Sequence, residues 1–329
     1  MTDSCMICAT DLVKKFGEHT AVDGVSFDVY PGEIFGFLGP NGAGKTTTIN
    51  MLCTLLKPTS GTATLNGFDI VKQHTDVRKS IGLVFQDPSL DSRLSAGENL
   101  KFHAMIYGLP TEVFKPRMAE VLDMVDLKDR VNDIVNTFSG GMKRRLEIAR
   151  GLLHYPKMLF LDEPTLGLDP QTRNHIWEYI HTMKDREKMT IFLTTHYMEE
   201  AEHCDRIAII DNGKIVAVDT PDGLKSMVGG DSVTIQTEDN AKAAEFIGSN
   251  YRLEVVGDKN GLHFEVEGGA EFVPRLAKEI NVPLKTITVN RPTLEDVFLK
   301  LTGKAIRDEG ADAMAEMRAA GRMWSRPKR

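Results

Sequence analysis

The stretch "IFGFLGPNGAGKTT", residues 34–47, decides the fold, because it joins an apolar strand to a glycine-rich loop and then to a helical pattern. The loop matches Gly-x4-Gly-Lys-Thr, a spacing that lets backbone N–H groups wrap phosphates. Lys45 would then reach the β- and γ-phosphates, and the Thr46 hydroxyl would take Mg²⁺. A glycine-rich turn without a ligand is the alternative, and the strand–loop–helix setting argues against it. The predicted phosphate site consists of Gly39, Pro40, Asn41, Gly42, Ala43, Gly44, Lys45, Thr46 and Thr47.

A second candidate segment is "MLFLDEPT", residues 158–165, an apolar strand that ends in two acids. A buried strand that delivers acids at its C-terminal edge suits a site beside the phosphate loop. There Asp162 would hold Mg²⁺, and Glu163 would orient the attacking water in phosphoryl transfer. Taken alone, a strand-end Asp-Glu pair is usually a solvated loop.

A third candidate is the helix predicted from "TFSGGMKRRLEIARGLL", residues 137–153, with Ser139 as its N-cap. The apolar spacing also fits a plain packing helix. Two glycines weaken its first turn, however, while Lys143, Arg144 and Arg145 add positive charge where the helix dipole is already positive. We therefore interpret this N-terminus as aimed at an anion.

The composition limits the class of protein. Lys and Arg total 40 against 47 Asp and Glu, a net charge of −7 over 329 residues, so no overall positive field attracts nucleic acid or anionic lipid. No run reaches the roughly 18–20 apolar residues that span a bilayer, and the N-terminus lacks the apolar core of a secretion signal. We expect a cytoplasmic chain without direct membrane insertion, in which Cys53 and Cys204 stay reduced. Cys5 and Cys8 form a lone Cys-x-x-Cys, a weak metal or redox candidate.

Short apolar runs alternate with helical patterns over the first two thirds of the chain, which predicts an α/β core around a parallel sheet. The predicted strands of this sheet are residues 34–38, 81–85, 158–162, 190–195 and 206–211. Segments near 9–15, 23–30 and 62–66 alternate and predict a small antiparallel sheet, while residues 90–153 predict an inserted helical subdomain. After "MVGGD", residues 227–231, the pattern β-α-β-β-α-β predicts a small ferredoxin-like α+β domain. Its second strand is predicted at "LEVV", and the hairpin loop "GDKNG", residues 257–261, joins that strand to the next. A final helix is predicted with a Thr293–Asp296 capping box and an end at Gly303. The expected units are an N-terminal segment 1–8, a core domain 9–228, an accessory domain 229–303 and a tail 304–329.

Together, "GPNGAGKTT", "FSGGMKRRLEIARGLL", "LDEPTLGLD" and the following His196 resemble the nucleotide-binding subunit of an ATP-binding cassette (ABC) transporter, over about residues 9–225. The resemblance implies a P-loop NTPase fold, ATPase activity, ATP and Mg²⁺ as cofactors, and a homodimer around two nucleotides. Lys45, Glu163 and His196 would be catalytic, and Thr46, Gln86 and Asp162 would serve the metal. The nucleotide would also be bound by Phe16, stacked on adenine, by Asp169 and, from a second copy of the chain, by Ser139, Gly140 and Gly141.

The signature departs from the family's common Leu-Ser-Gly-Gly-Gln at two positions. Phe138 replaces the first residue and keeps an apolar anchor, whereas Met142 replaces the last and loses a side-chain amide. The Ser-Gly-Gly that meets phosphate remains.

The C-terminal unit, with "RPTLEDVFLKLTG", is similar to the drug-export branch of that family, as in daunorubicin/doxorubicin-resistance ATP-binding proteins. This implies a separate membrane permease, export of a hydrophobic drug-like or lipid-like compound, and a peripheral position on the cytoplasmic face of the membrane. A soluble cassette ATPase acting on ribosomes or nucleic acid is the alternative, and a P-loop kinase is a third. One P-loop and no sustained heptads argue against the former, and the Ser-Gly-Gly helix argues against the latter.

Overall fold

The structure is a computed structural model that describes residues 5–87, 89–258 and 261–303. The strands are β1 (Ile7–Phe16), β2 (His19–Val29), β3 (Ile34–Leu38), β4 (Ser60–Leu65), β5 (Phe68–Asp69), β6 (Ile81–Val84), β7 (Met158–Asp162), β8 (Thr190–Thr195), β9 (Arg206–Asp211), β10 (Lys214–Asp219), β11 (Asp231–Thr237), β12 (Val256–Asp258), β13 (Gly261–Val266) and β14 (Leu284–Asn290). The helices are α1 (Lys45–Leu52), α2 (His74–Ser80), α3 (Ala96–Ile106), α4 (Thr111–Met124), α5 (Gly140–Leu152), α6 (Pro170–Glu187), α7 (Met198–Ala201), α8 (Pro221–Ser226), α9 (Asn240–Tyr251), α10 (Gly269–Glu279) and α11 (Leu294–Thr302).

The central sheet has the strand order β10-β9-β3-β8-β7-β6. Five of its strands are parallel, as the apolar runs predicted, and every residue of β3, β7 and β8 is buried. Helices cover both faces of such a sheet, which is why its strands are continuously apolar. The antiparallel edge strand β10 was not predicted.

The predicted antiparallel sheet is present, with the order β2-β1-β4-β5. Its first strand begins at Ile7 instead of residue 9, because Ile7 and Cys8 already pair with Val29 and Asp28 on β2. The segment expected over residues 1–8 therefore overlaps β1. Cys5 and Cys8 form a disulfide, and Cys53 and Cys204 are free and buried, as expected for the latter pair.

The predicted helical subdomain is also present, since α3, α4 and α5 contact one another between β6 and β7. Ser95 and Glu98 form a capping box at the start of α3. Phe138, just before α5, is 5% exposed and belongs to the apolar core of this region, so it is the predicted apolar anchor.

The C-terminal unit has the strand order β12-β13-β11-β14, all antiparallel, with α9 and α10 as its two helices. This is the order of a ferredoxin-like fold, as predicted. The second strand lies later than the expected "LEVV", residues 253–256, because pairing with β13 begins only at Val256. Part of the expected hairpin loop, residues 259–260, lies outside the described residues.

The last helix, α11, has the predicted Thr293–Asp296 capping box and ends at Gly303. Its buried side chains Leu294, Val297 and Phe298 belong to the core of the central sheet, not to that of the ferredoxin-like unit. Helix α11 thus packs in the core of the central sheet, whereas the sequence predicted it as part of the accessory domain, residues 229–303. The expected tail, residues 304–329, lies outside the described part. Within the described residues, no helix combines the length and apolar character needed to cross a bilayer.

Candidate nucleotide site

A cavity of about 650 Å³ opens at the C-terminal edge of the central sheet. It brings together predicted residues from the phosphate loop, the strand-end acids, the β1 terminus and the β8 terminus. The predicted residues that line it are Phe16, Pro40, Asn41, Gly42, Gly44, Lys45, Thr46, Thr47, Gln86, Glu163 and His196. Gly39, Ala43 and Asp162 lie behind this surface, and Ser139, Gly140, Gly141 and Asp169 do not line it.

The phosphate loop needs its glycines for two physical reasons. Gly44 has φ 102°, a left-handed conformation that L side chains rarely adopt, and directly precedes α1. A Cβ on Gly39 would lie 2.2 Å from the Ile210 carbonyl oxygen, so the loop approaches β9 too closely for a side chain. The helix N-terminus is therefore left as bare backbone N–H groups that face the cavity.

Lys45 extends its ammonium group across this loop. Its Nζ donates to the Gly39 carbonyl at 2.8 Å and lies 3.3 Å from Glu163 Oε1, with the side chain only 5% exposed. Burial lowers the pKa of Lys45, and the Glu163 carboxylate opposes that shift. A buried cation held against a carboxylate is poised to receive a phosphate group.

The predicted metal ligands meet at the end of β7. Asp162 Oδ1 accepts from the Thr46 hydroxyl at 3.3 Å and from the Thr194 hydroxyl at 2.5 Å. Burial raises the pKa of Asp162, and these two hydrogen bonds oppose the shift. Hydroxyl and carboxylate oxygens are the hard donors that Mg²⁺ prefers, so the donor set fits that ion. Gln86, the third predicted metal residue, lines the same cavity, and its Nε2 donates to Glu163 Oε2 at 3.3 Å.

Glu163 occupies an unusual backbone position. Its φ is 46°, in the left-handed region, and its N–H is held by the Thr194 carbonyl and hydroxyl oxygens. His196 Nδ1 lies 3.2 Å from Glu163 Oε1. Burial raises the pKa of this carboxyl, but the His196 hydrogen bond and the charge of Lys45 outweigh it and leave the pKa below its usual value. Glu163 is thus a carboxylate at neutral pH, aimed into the cavity.

The basic run on α5 does not all point at an anion, contrary to our prediction. Arg144 is 7% exposed and donates to the carbonyl oxygens of Asp162, Glu163 and Pro164. Arg145 donates to the Val125 carbonyl and the Tyr179 hydroxyl. Arg144 therefore supports the loop that carries the acids, because the carbonyls of that loop need a donor once buried.

The first residues of α5 are the outward part of this helix. Ser139 and Gly140 are exposed, and the Ser139 hydroxyl accepts from the Met142 N–H at 3.2 Å as an N-cap. Asp169 is likewise exposed and caps α6 by accepting from the Thr172 N–H. Ser139 and Asp169 thus lie on the surface of the chain and do not line the cavity.

Some functional candidates were missed by sequence reasoning. His19 and Tyr197 line the cavity, and Thr194 joins Asp162 to Glu163 by hydrogen bonds to both. His19 pairs with Phe16 across the β1–β2 hairpin. A hairpin predicted directly after Phe16 would therefore have placed His19 beside it. Thr194 carries no local signal, since only the parallel pairing of β7 with β8 brings it to Asp162.

Comparison with known families gives two matches. Residues 22–166 match the ABC transporter family, and residues 220–302 match the C-terminal domain of ATP-binding proteins like DrrA1-3. The two matched regions together contain the phosphate loop, the signature helix, the strand-end acids and most of the ferredoxin-like unit.

The chain is also similar to whole proteins. It is 41% identical over 314 residues to the linearmycin resistance ATP-binding protein LnrL of Bacillus subtilis (strain 168), covering 92% of this chain and 100% of that one. It is 37% identical to the daunorubicin resistance ATP-binding protein DrrA2 of Streptomyces coeruleorubidus, covering 94% and 98%. Among solved structures, the ATP-binding cassette MJ0796, a dimer in a post-hydrolysis state with ADP and Pi, matches with TM-score 0.59 and 28% identity, over 65% of this chain and 98% of that one.

These matches agree with the fold, the cavity and the arrangement of Lys45, Asp162 and Glu163 around it. The chain belongs to the ABC transporter family as an ATP-binding, ATP-hydrolysing subunit with a DrrA-like C-terminal domain.

Proposed function

We propose that two copies of this chain enclose two ATP molecules and, by hydrolysing them, drive a separate membrane permease that exports a hydrophobic, drug-like or lipid-like compound. The observation that carries the ATPase part is the contact of Glu163 with both Lys45 and His196 inside the cavity. One carboxylate is thus held between a phosphate-binding cation and an imidazole, which is an arrangement for phosphoryl transfer to water.

In this proposal Glu163 accepts a hydrogen bond from the attacking water, and Lys45 offsets the charge that develops on the γ-phosphoryl oxygens. Thr46 and Asp162 would hold Mg²⁺, which when bound neutralises phosphate charge and orients the β- and γ-oxygens. His196 would contact the γ-phosphate while its Nδ1 fixes Glu163. Phe16, 49% exposed at the cavity wall, would stack on adenine.

Exposure of the Ser139 end of α5 supports the shared site. A helix N-terminus with bare N–H groups and an outward hydroxyl binds phosphate well, and the cavity of the same chain does not include it. In a two-fold dimer each copy would place this end against the γ-phosphate of the nucleotide bound by the other. The dimeric cassette among the matched structures is consistent with this arrangement.

An apolar groove supports a permease contact. Exposed apolar side chains border a cavity of about 530 Å³ between α3 and β6, and the most exposed of them are Leu55, Phe85, Phe102 and Ile106. Gln86 follows Phe85 and donates to Glu163, so the groove is connected to the catalytic carboxylate by one residue. We propose that a short segment of the permease docks here and is moved when Gln86 moves.

The class of cargo rests on the relatives. Two of them are named for resistance to linearmycin and to daunorubicin, and both align with nearly the whole of this chain, including the C-terminal unit. Export of a hydrophobic compound is the activity that best accounts for a similar subunit here. The chain would then act at the cytoplasmic face of the membrane, attached through the permease.

The test is affinity capture from detergent-solubilised membranes of the native host, using tagged Glu163→Gln protein with ATP and Mg²⁺. The proposal expects a multi-span membrane protein to be recovered, and to be lost from the matched Glu163→Gln/Phe102→Asp protein. Recovery of only ribosomal or nucleic-acid-bound proteins would favour a soluble ATPase instead. Recovery of the same membrane protein by both variants would show that the groove is not part of the interface with the permease.

A further inference from the structure

A buried carboxyl group lies behind the nucleotide site and has no role in the chemistry described so far. Glu200 is on the short helix α7, four residues after His196, and it is 1% exposed. Its backbone continues the turn that carries His196, because its N–H donates to the Tyr197 carbonyl at 3.2 Å. A carboxyl this deeply buried is retained only where its hydrogen bonds do something for the fold or the site.

Two threonines from different loops lie beside this carboxyl group. The Thr165 hydroxyl donates to Glu200 Oε1, and the Thr195 hydroxyl is close enough to lower the pKa of Glu200. Both threonines are completely buried. Thr165 lies two residues after Glu163, and Thr195 lies directly before His196, so one carboxyl group joins the loop of the catalytic carboxylate to the turn of the imidazole.

These contacts extend to the other parts of the site. The Thr195 carbonyl accepts from the Gly39 N–H at 3.2 Å, which ties the turn to the start of the phosphate loop. The Thr165 carbonyl accepts from the Leu168 N–H at 3.1 Å, which shapes the loop leading to Asp169. Displacement of Glu200 would therefore disturb the relative positions of Glu163 and His196 without removing a group that touches nucleotide.

We propose that Glu200 is a positioning residue that fastens the Glu163–Thr165 loop to the Thr195–His196 turn, and so sets the 3.2 Å contact between His196 and Glu163. The inference rests on the proposed function, because it assigns Glu200 a role in the same hydrolysis. It adds a residue that the sequence motifs did not indicate. The hydrogen-bonding capacity of Glu200, more than its charge, performs this role.

The charges around Glu200 agree with a hydrogen-bonding role. Burial raises the pKa of Glu200 to about 7, and the Thr195 hydroxyl, Arg173 and His196 oppose this shift. The charge of Glu163 also raises the pKa of Glu200, while the charge of Glu200 in turn acts on Arg144 of α5 and on Cys204 after α7. The carboxyl is thus partly neutral at neutral pH, and either form can accept from the Thr165 hydroxyl.

The test compares Glu200→Ala, Glu200→Gln and Thr165→Val in the full chain, measuring ATP affinity and ATPase kinetics. We expect Glu200→Ala to lower kcat by about 10- to 100-fold with little change in ATP affinity, because the reacting groups lose their alignment. Thr165→Val should have a similar effect, and the double variant should be no worse than either single variant. Glu200→Gln should retain most of the activity, since its amide oxygen still accepts the Thr165 hydrogen bond.

Normal turnover of folded Glu200→Ala would overturn the proposal, as would a Glu200→Gln variant as slow as Glu200→Ala. If Glu200→Ala does not fold, Thr165→Val and its control Thr165→Ser, which keeps the hydroxyl, decide the question in the same way. Failure of the underlying function is recognised separately: in that case the unmodified chain hydrolyses no ATP, or Glu163→Gln hydrolyses it normally.

Discussion

The phosphate loop with its acids and the Ser139 end of α5 are two parts of one predicted site, yet they differ in burial. Lys45, Asp162 and Glu163 are 5%, 3% and 8% exposed and are held by the chain's own hydrogen bonds. Ser139 and Gly140 are exposed, and the Ser139 hydroxyl contacts its own helix through the Met142 N–H.

The difference in burial shows which part each chain completes by itself. The buried part is fixed by folding, because groups with satisfied hydrogen bonds in a close-packed region are hard to displace. The exposed part costs its own chain little to form, and Ser139 and Gly140 lie on the surface, where a second molecule can reach them. In our proposal one chain therefore carries two half-sites that complete each other across a dimer.

The largest effect is expected from the buried half. Glu163→Gln should lower ATP hydrolysis by about 10²- to 10⁴-fold, because the amide cannot polarise the attacking water. ATP affinity should stay near that of the unmodified chain, since Lys45 and the loop remain. Steady-state ATPase assays and equilibrium binding of ATP check this prediction, and undiminished hydrolysis would remove Glu163 from the role.

A negative charge placed on the exposed half should slow ATP hydrolysis without lowering the stability of the fold. Ser139→Asp keeps a good N-cap but sets a negative charge against the partner's γ-phosphate, so hydrolysis should fall by about 10²-fold. Ser139→Asn is the matched control, because it caps equally well without the charge. Thermal unfolding should be the same for both variants. Equal ATPase rates for the Asp and Asn variants would show that this end does not meet phosphate.

The buried half should also make stability depend on pH through Glu200. The pKa of Glu200 is about 7 in the folded chain against an ordinary value of 4.5, so the folded chain holds the proton more tightly. The stability that this proton contributes is fully present below pH 4.5 and is lost as pH rises through 7. Between pH 5 and pH 8, the free energy of unfolding measured in urea should therefore fall by about 1–3 kcal/mol more for the unmodified chain than for Glu200→Gln. A difference that does not vary with pH would mean that Glu200 is ionised throughout.

The smallest effect is expected at the cavity wall. Phe16→Ala should weaken ATP binding by about 2- to 10-fold, because it removes one stacking contact worth about 0.5–1.5 kcal/mol. Phe16→Tyr should bind normally, since stacking needs only the ring. Phe102→Ala, in the groove, serves as a control for the loss of an exposed aromatic. Equal affinity of all three variants for ATP would exclude Phe16 from the adenine contact.

Much of the fold could be predicted because its strongest signals are local. The strands β3, β7, β8 and β9 were predicted with their observed bounds, since burial on both faces gives each of them a continuous apolar run. The antiparallel edge strand β10 alternates and carries charge, so it had no such signal. The phosphate loop was found because its glycines and Lys45 occupy fixed spacings.

The residues that were missed or misread depend on contacts distant in sequence. Arg144 was expected to face an anion, but the carbonyls it binds belong to a loop about twenty residues later. Nothing in the sequence distinguishes Thr194 or Glu200 from other polar residues, because only the pairing of β7 with β8 brings them close to the residues that follow β7. The cap and the terminal glycine of α11 indicated where this helix begins and ends, but not which core its buried side chains would join.

The measurement that tests the shared site most directly mixes two inactive variants, Lys45→Ala and Ser139→Asp. In a mixed dimer, the intact phosphate loop of the Ser139→Asp chain faces the intact Ser139 of the Lys45→Ala chain. Our account predicts that mixing restores ATP hydrolysis, up to about a quarter of the unmodified rate for random pairing. No gain over the separate variants, although co-purification of differently tagged chains shows that mixed dimers form, would contradict it and place both halves in one chain.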